Sequence, residues 1–162
     1  MYTRRACVVR LLMLPLLMVG CSDDFDNSQM YSSNGMKTDI DSLKRLIHLP
    51  ANVERCEWQT GTRSPHGDDW WLAAVLEVNS DQLPAFLPGT GTREFFETPP
   101  GLELVSSFAA LRLLPDAHPS ESGGIALIVD TYGVSPYTSS PLLDGRAIKL
   151  SANQVFVTLW TN

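Results

Sequence analysis

Residues 70–79 read WWLAAVLEVN, and this stretch is the strongest strand candidate in the chain. Its even-numbered and odd-numbered positions are both apolar, so neither face of the strand suits contact with water. Each face is formed by a row of large or small apolar side chains: Trp70, Leu72, Ala74, Leu76 and Val78 on one, and Trp71, Ala73 and Val75 on the other. A strand that is apolar on both faces usually lies inside a sheet, with packed layers above and below it. We therefore predict a central strand here.

The elements predicted on either side of this strand follow from apolar spacing and from turn residues. Before it, residues 39–49 form a helix with Thr38 or Asp39 as the N-cap, and residues 49–60 turn into a strand. After it, residues 80–87 form a short helix capped by Ser80, and residues 90–100 form a loop. Helical spacing returns over residues 102–114. The remaining strands are predicted over residues 125–131, 146–150 and 154–161.

This succession predicts an α+β fold. We expect a single small domain over residues 39–162, with a mostly antiparallel sheet of four to five strands and two or three helices on one face. The length of 162 residues is typical of one domain.

The charge of the chain is strongly acidic once its first twenty residues are set aside. Their charged residues are Arg4, Arg5 and Arg10, so residues 21–162 keep nine basic residues against eighteen acidic ones, a net charge of −9. Nucleic-acid binding depends on neutralising phosphates with Lys and Arg, and we therefore predict no nucleic-acid partner. Such an acidic surface favours solubility, or a basic partner.

The N-terminal twenty residues have the layout of a secretion signal. A basic region over residues 1–10 is followed by a continuous apolar run over residues 11–19, which is too short to cross a bilayer as a helix. The run ends in a small residue, Gly20, and a cysteine, Cys21. We therefore exclude residues 1–20 from the fold as a signal peptide.

The end of this segment, LMVGC over residues 17–21, resembles the lipobox of bacterial lipoproteins. The resemblance implies that the Cys21 thiol receives a diacylglyceryl group and that cleavage before it makes Cys21 the first mature residue. It also implies attachment to a membrane by several acyl chains, facing the periplasm. Ser22 follows the cysteine, whereas aspartate at that position tends to retain such proteins in the inner membrane, so the outer membrane is favoured.

Residues 21–38 are polar and rich in Ser, Asn and Asp after Cys21, and we predict a flexible tether there. The domain beyond the tether contains one cysteine, Cys56, and therefore no internal disulfide. Cys56 lies two residues from Trp58, and we predict a buried thiol that packs beside the indole. Residues 49–87 resemble small, uncharacterised bacterial proteins that are secreted or lipid-anchored, a resemblance that implies no activity.

No pattern in the chain predicts a catalytic, metal or cofactor site. The three histidines, His48, His66 and His118, lack the spacings of zinc ligands. The chain also lacks a nucleophile elbow around its serines and a phosphate-binding glycine loop. One local polar cluster, His66 with Asp68 and Asp69, directly precedes the Trp-Trp strand. We expect that loop to be solvated, with one indole, Trp70 or Trp71, partly exposed at a binding rim.

These observations favour a non-enzymatic, lipid-anchored envelope protein that binds another envelope or secreted protein. An immunity protein and an accessory subunit both fit this description. A carrier that holds a small ligand against exposed tryptophan is the second hypothesis. A hydrolase-type enzyme centred on His66, Asp68 and Asp69 is the third. An unpaired edge of the second strand or of the C-terminal strand would allow a partner to add a strand.

Overall fold

The computed structural model describes residues 32–63, 69–104 and 106–161, with backbone alone for Ser32 and Ser33. Its helices are short: α1 (Ile40–Lys44), α2 (Leu83–Phe86) and a 3-10 helix (Ser106–Leu113). The strands are β1 (Ser32–Ser33), β2 (Arg55–Thr62), β3 (Trp70–Glu77), β4 (Thr92–Glu97), β5 (His118–Pro119), β6 (Ile125–Tyr132), β7 (Asp144–Lys149) and β8 (Gln154–Trp160).

All strand pairs in the described chain are antiparallel, and they belong to one sheet. Seven strands follow one another in the order β1-β2-β3-β8-β7-β6-β4, and β5 pairs with β6 beside this path. The α+β class is therefore correct, as is the number of helices, but the sheet has more strands than the four to five predicted. The added strands are short or lie at an edge, so few of their residues carry the apolar alternation that reveals a strand.

Strand β3 lies inside the sheet between β2 and β8, and its interior residues are buried on both faces, as predicted. On one face, Leu72, Ala74 and Leu76 pack in a core that also contains residues of α1 and α2. On the other face, Trp71, Ala73 and Val75 pack in a second core with residues of β4, β6 and the 3-10 helix. Each fully buried large apolar side chain stabilises the fold by about 1.5–3 kcal/mol.

The second core shows how the far end of the sheet covers the β3 face. The ring of Phe156, on β8, makes edge contacts with the ring of Phe96 on β4 at 5.9 Å and with the ring of Phe108 on the 3-10 helix at 6.0 Å. Strand β4 can reach β8 in this way because the sheet curls back over itself. Helices therefore cover both faces of the sheet, and the prediction that they share one face is wrong.

The boundaries of the helices differ from the predicted ones for local reasons. Asp39 caps α1, since its Oδ1 accepts a hydrogen bond of 3.0 Å from the Asp41 N–H, but the helix ends at Lys44. Leu46 lies beyond this end, inside the span predicted as helix, and is 37% exposed. Gln82 rather than Ser80 is the N-cap of α2, and no side chain bonds there.

Residues 32–38, the last part of the predicted tether, lie along the outer edge of β2. Ser32 and Ser33 pair with Thr62 and Gly61, and Lys37 exchanges backbone hydrogen bonds of 2.8 and 2.9 Å with Trp58. This edge is therefore covered, and these residues extend the sheet. The predicted signal peptide, Cys21 and the rest of the predicted tether lie outside the described residues. Within the described part, no helix has both the length and the apolar character that a membrane span requires.

Both core clusters are formed by residues between Met36 and Trp160. Every described strand and helix also lies within residues 32–160. A chain that starts at residue 22 therefore contains the complete described domain.

Candidate functional site

The structure separates the residues that the sequence grouped around residues 66–71. Trp70 is 44% exposed, whereas Trp71 is fully buried in the second core. Asp69 is exposed, and its carbonyl accepts a hydrogen bond of 2.8 Å from the Arg63 N–H. His66 and Asp68 lie outside the described residues, so the predicted polar cluster is not assembled by the part of the chain that the structure describes.

Trp70 borders a groove with a volume of about 410 Å³, which we call the Trp70 groove. The groove lies where three separate parts of the chain meet: the segment before α1 with the end of α1, the facing ends of β2 and β3, and the turn before β7. Its lining residues are Asn34, Lys37, Arg45, Leu46, Thr60, Trp70, Trp71, Ser140, Pro141 and Leu142. The site therefore exists only in the folded chain.

The exposure of Trp70 follows from its place in β3. Its side chain lies on the same face as Leu72 and Ala74, because residues two apart share a face of a strand. Leu72 and Ala74 are buried in the first core. Trp70 is the next residue on this face and lies beyond the end of that core, so its side chain is exposed. The indole N–H has no acceptor among the residues described, so it is free to donate to a ligand.

Two cations line the Trp70 groove, Lys37 and Arg45. Both are exposed, and neither has a carboxylate oxygen within 4.0 Å in the described ranges. The Lys37 ammonium lies 4.7 Å from the centre of the Trp58 ring and makes a cation–π contact with it. The groove is therefore a locally basic, partly apolar surface on an acidic domain.

The walls of the groove are fixed by backbone and side-chain hydrogen bonds. Asn34 donates from Nδ2 to the Thr60 hydroxyl at 3.1 Å, and its N–H donates to the Thr60 carbonyl at 2.9 Å. Trp70 donates its N–H to the Thr161 hydroxyl at 2.9 Å and accepts from the Thr161 N–H at 3.0 Å. A ligand would meet a largely preformed site, which reduces the entropy that binding costs.

Sequence reasoning found the indole of this site but missed its cations. Lys37 falls in the predicted tether and Arg45 in the predicted helix over residues 39–49, and no local motif joins them to residues 140–142. One signal was present: Lys37, Lys44 and Arg45 cluster within nine residues of an otherwise acidic domain. Their meeting with Trp70 depends on the sheet register, which composition does not reveal.

Two smaller cavities lie elsewhere on the domain. One of about 290 Å³ lies beside His118 and Arg112, and one of about 270 Å³ lies at the start of β2 beside Cys56 and Glu57. In the described ranges, no group of three or more His, Cys, Asp or Glu side chains is arranged to hold a metal ion. Cys56 is buried in the same core as Trp58, as predicted. Burial, and then the charges of Asp39 and Glu57, raise the pKa of the Cys56 thiol to about 11, so it is a poor nucleophile.

Comparison of the chain with protein-family models, with curated proteins and with solved structures finds no match.

Proposed function

We propose that this chain is a non-enzymatic binding protein of the bacterial cell envelope, and that it takes an acidic, apolar-anchored segment of another envelope or secreted protein in the Trp70 groove. The observation that carries the proposal is the exposed indole of Trp70 in one groove with the exposed cations Lys37 and Arg45. The indole suits an apolar side chain of the partner, and the cations suit carboxylates beside it.

The local charge of the groove decides the chemistry of the partner. The net charge of −9 over residues 21–162 would favour a basic partner at long range. Exposed charges farther apart than the Debye length of about 8 Å are largely screened at physiological salt, so a segment inside the groove responds to Lys37 and Arg45. An acidic docking segment on a partner that is not itself strongly acidic therefore fits best.

The exposed indole supplies the anchor of this interaction. Tryptophan is enriched among the residues that dominate protein interfaces, where truncation to alanine costs about 2 kcal/mol or more. Its large rigid ring buries much apolar area and loses little side-chain entropy on binding. Trp70 therefore carries more of the binding energy than Leu46, an exposed apolar residue of the same groove.

A carrier of a small amphipathic anion is the second candidate function, and the size of the groove favours it. Small-molecule sites occupy about 300–1,000 Å³, a range that includes the value of about 410 Å³ found here. Such a ligand would place an aromatic or aliphatic group on Trp70 and an acidic group near Arg45.

The proposed location rests on the N-terminal sequence. The LMVGC lipobox supports lipid attachment at Cys21, and Ser22 after it supports the outer membrane, with the domain facing the periplasm. Replacement of Cys21 by Ala should release the protein from the membrane fraction and abolish labelling by radioactive palmitate. Retention of both the label and the membrane location would contradict the anchor.

The binding function is tested by affinity capture. Residues 22–162 with a C-terminal tag are incubated with envelope and secreted fractions, and bound proteins are identified by mass spectrometry. We expect a stoichiometric partner that is lost with Trp70→Ala and with Arg45→Glu. The matched controls are Leu113→Ala, which truncates an exposed leucine outside the groove, and Lys149→Glu, which makes the same charge change on β7.

The outcomes separate the candidate functions. Capture that is equal in the groove variants and the controls would contradict the groove as the binding site. An empty column, followed by a thermal shift with small amphipathic anions that Trp70→Ala removes, would favour the carrier. A phenotype lost with His66→Ala but kept with Trp70→Ala would favour the enzyme.

A further inference from the structure

Strand β4 forms an edge of the sheet, and its outer side has no partner strand in the described chain. On its inner side the pairing with β6 is fixed: Phe95 lies opposite Ile128, and the Thr98 N–H donates to the Ile125 carbonyl at 2.9 Å. Antiparallel pairs alternate between residues that exchange hydrogen bonds and residues that do not. The N–H and C=O groups of Arg93, Phe95 and Glu97 therefore point away from β6, toward the open edge.

The side chains of these three residues lie on the outer face of the sheet, and the middle one is strongly apolar. Phe95 is 63% exposed, and Ile128 beside it on β6 is 48% exposed. They form a pair of the kind that does not exchange hydrogen bonds, in which side chains approach most closely. The edge thus presents an apolar centre with a cation at one end, Arg93, and a carboxylate at the other, Glu97.

We propose that this edge pairs with the same edge of a second copy of the chain, as an antiparallel strand pair centred on Phe95. In that register Phe95 faces Phe95 of the second copy, and Arg93 faces Glu97 of the second copy at both ends. Roughly six backbone hydrogen bonds would form between the outward groups. The arrangement has two-fold symmetry, as most protein dimers do.

The charges select this register over its neighbours. A shift by one residue would set outward backbone groups against inward ones, so the hydrogen bonds would be lost. A shift by two residues would place Arg93 opposite Phe95 of the second copy and leave Glu97 opposite Gly91. Charged side chains on an edge strand usually prevent such pairing. Here the two charges have opposite sign and stand at equal distances from Phe95, so they complement each other.

Both charged residues can take part without breaking a strong contact. The ion pairs of Arg93 with Asp116 and Asp130 are long, at 3.6 and 3.9 Å, and they join exposed side chains. Glu97 accepts from the hydroxyls of Ser120 and Ser122, both at Oε1. Its Oε2 accepts no hydrogen bond from the described residues and is open to Arg93 of the second copy.

The first test places a cysteine at the proposed centre. In a chain of residues 22–162, Cys56 is buried and is the one native thiol, so an added cysteine can be crosslinked selectively. The Cα atoms of Phe95 and its counterpart would lie about 5.5 Å apart. We expect Phe95→Cys to give a crosslinked dimer with a thiol reagent that spans a few ångström. The matched control is Ile128→Cys, whose counterpart would lie three strand spacings away, roughly 14 Å.

The second test exchanges the charges and follows the mass in solution by analytical ultracentrifugation. Arg93→Glu and Glu97→Arg should each raise the dimer dissociation constant at least tenfold, because like charges then face each other. A mixture of the two variants should recover the wild-type association, since each supplies the charge that the other lacks. Circular dichroism checks that each variant is folded.

Three results would overturn the proposal: wild type that stays monomeric, equal crosslinking at positions 95 and 128, or a mixture that associates no better than its components. If residues 22–162 stay monomeric and a dimer forms only in a chain that starts at residue 32, the edge of β4 would be occupied by residues 22–31 of the same chain instead. Loss of dimerisation together with unchanged partner capture would leave the function of the Trp70 groove intact.

Discussion

Replacement of Tyr137 by Phe tests how the wall of the Trp70 groove is held to the core. Tyr137 is fully buried in the connection between β6 and β7, and its hydroxyl donates to the carbonyl of Phe86 at the end of α2. Its own carbonyl accepts a hydrogen bond of 3.1 Å from the His48 N–H, after α1. The substitution removes one oxygen and leaves the ring in place, so the hydroxyl contact is probed without a large cavity.

The expected cost is about 2 kcal/mol of unfolding free energy. A typical hydrogen bond contributes about 1 kcal/mol net, and a buried acceptor that loses its donor costs about 1–3 kcal/mol. Tyr132→Phe is the matched control, because Tyr132 belongs to the same region, is partly exposed, and has no hydroxyl hydrogen bond to the residues that the structure describes. We expect this control to change the free energy by less than about 0.5 kcal/mol.

The pH dependence gives a second signature of the same hydroxyl. Burial raises the pKa of Tyr137 above its ordinary value of 10.0. The folded state thus favours the protonated form, and this stabilisation is present below pH 10.0 and is lost as the pH rises above it. The difference between wild type and Tyr137→Phe should therefore shrink by about 1.4 kcal/mol per pH unit above 10.

Urea unfolding of residues 22–162, followed by circular dichroism at pH 7 and at several pH values above 9, measures both effects. Equal stability of Tyr137→Phe and Tyr132→Phe at pH 7 would refute the buried hydrogen bond. A difference that persists unchanged above pH 10 would refute the protonated state of Tyr137 as its source.

Three further predictions concern other parts of the domain. Gly145→Ala should destabilise the fold by about 2 kcal/mol or more, because the added Cβ would lie 2.0 Å from the Thr158 carbonyl oxygen. The control is Gly133→Ala, whose added Cβ meets open space. It should change the free energy of unfolding, measured in urea, by less than about 1 kcal/mol. Cys56 should react with iodoacetamide at pH 8 at least a hundredfold more slowly in the folded than in the urea-unfolded chain. The reason is that a thiol pKa raised from 9.0 to about 11 lowers the thiolate population about a hundredfold. Equal rates would contradict the buried thiol. The Thr131 hydroxyl, and then Arg146, hold the pKa of Glu94 below its ordinary value of 4.5, so the stability that the ionised carboxylate adds is present above pH 4.5 and is lost below it. The difference in unfolding free energy between wild type and Glu94→Gln should therefore shrink in acid. A difference that stays constant with pH in urea titrations would contradict this.

The sequence was informative where the physical signal was local. Strand β3 was predicted with its burial on both faces, because eight consecutive residues carry the pattern of a central strand. Strand β4 was assigned to a loop, since TREFFE is mostly polar and follows Gly89 and Gly91. An edge strand needs only one apolar row, and in β4 the exposed Phe95 and the buried Phe96 lie next to each other and mask the alternation. The condition for strand addition at the second or the C-terminal strand, an unpaired edge, is not met, because β2 and β8 both have neighbours on each side.

The candidate site was predictable only in part for a similar reason. The exposed indole could be expected from the position of Trp70 at the start of a strand next to a loop. The cations could not, because Lys37 and Arg45 reach Trp70 through the pairing of residues 32–38 with β2 and the docking of α1 on the first core. Such contacts between distant parts of a chain leave no trace in local composition.

The position of β8 has a consequence for how the protein is made. This strand is the last described element along the chain, yet it lies between β3 and β7 and contributes Val157 to one core and Phe156 to the other. A chain that emerges from a ribosome or a secretion channel N-terminus first therefore cannot join the two parts of its sheet until these residues arrive. Until then β3 and β7 each expose an open edge and apolar surface. Chaperones and proteases would act in this interval, and a chain that stops before β8 would remain their substrate.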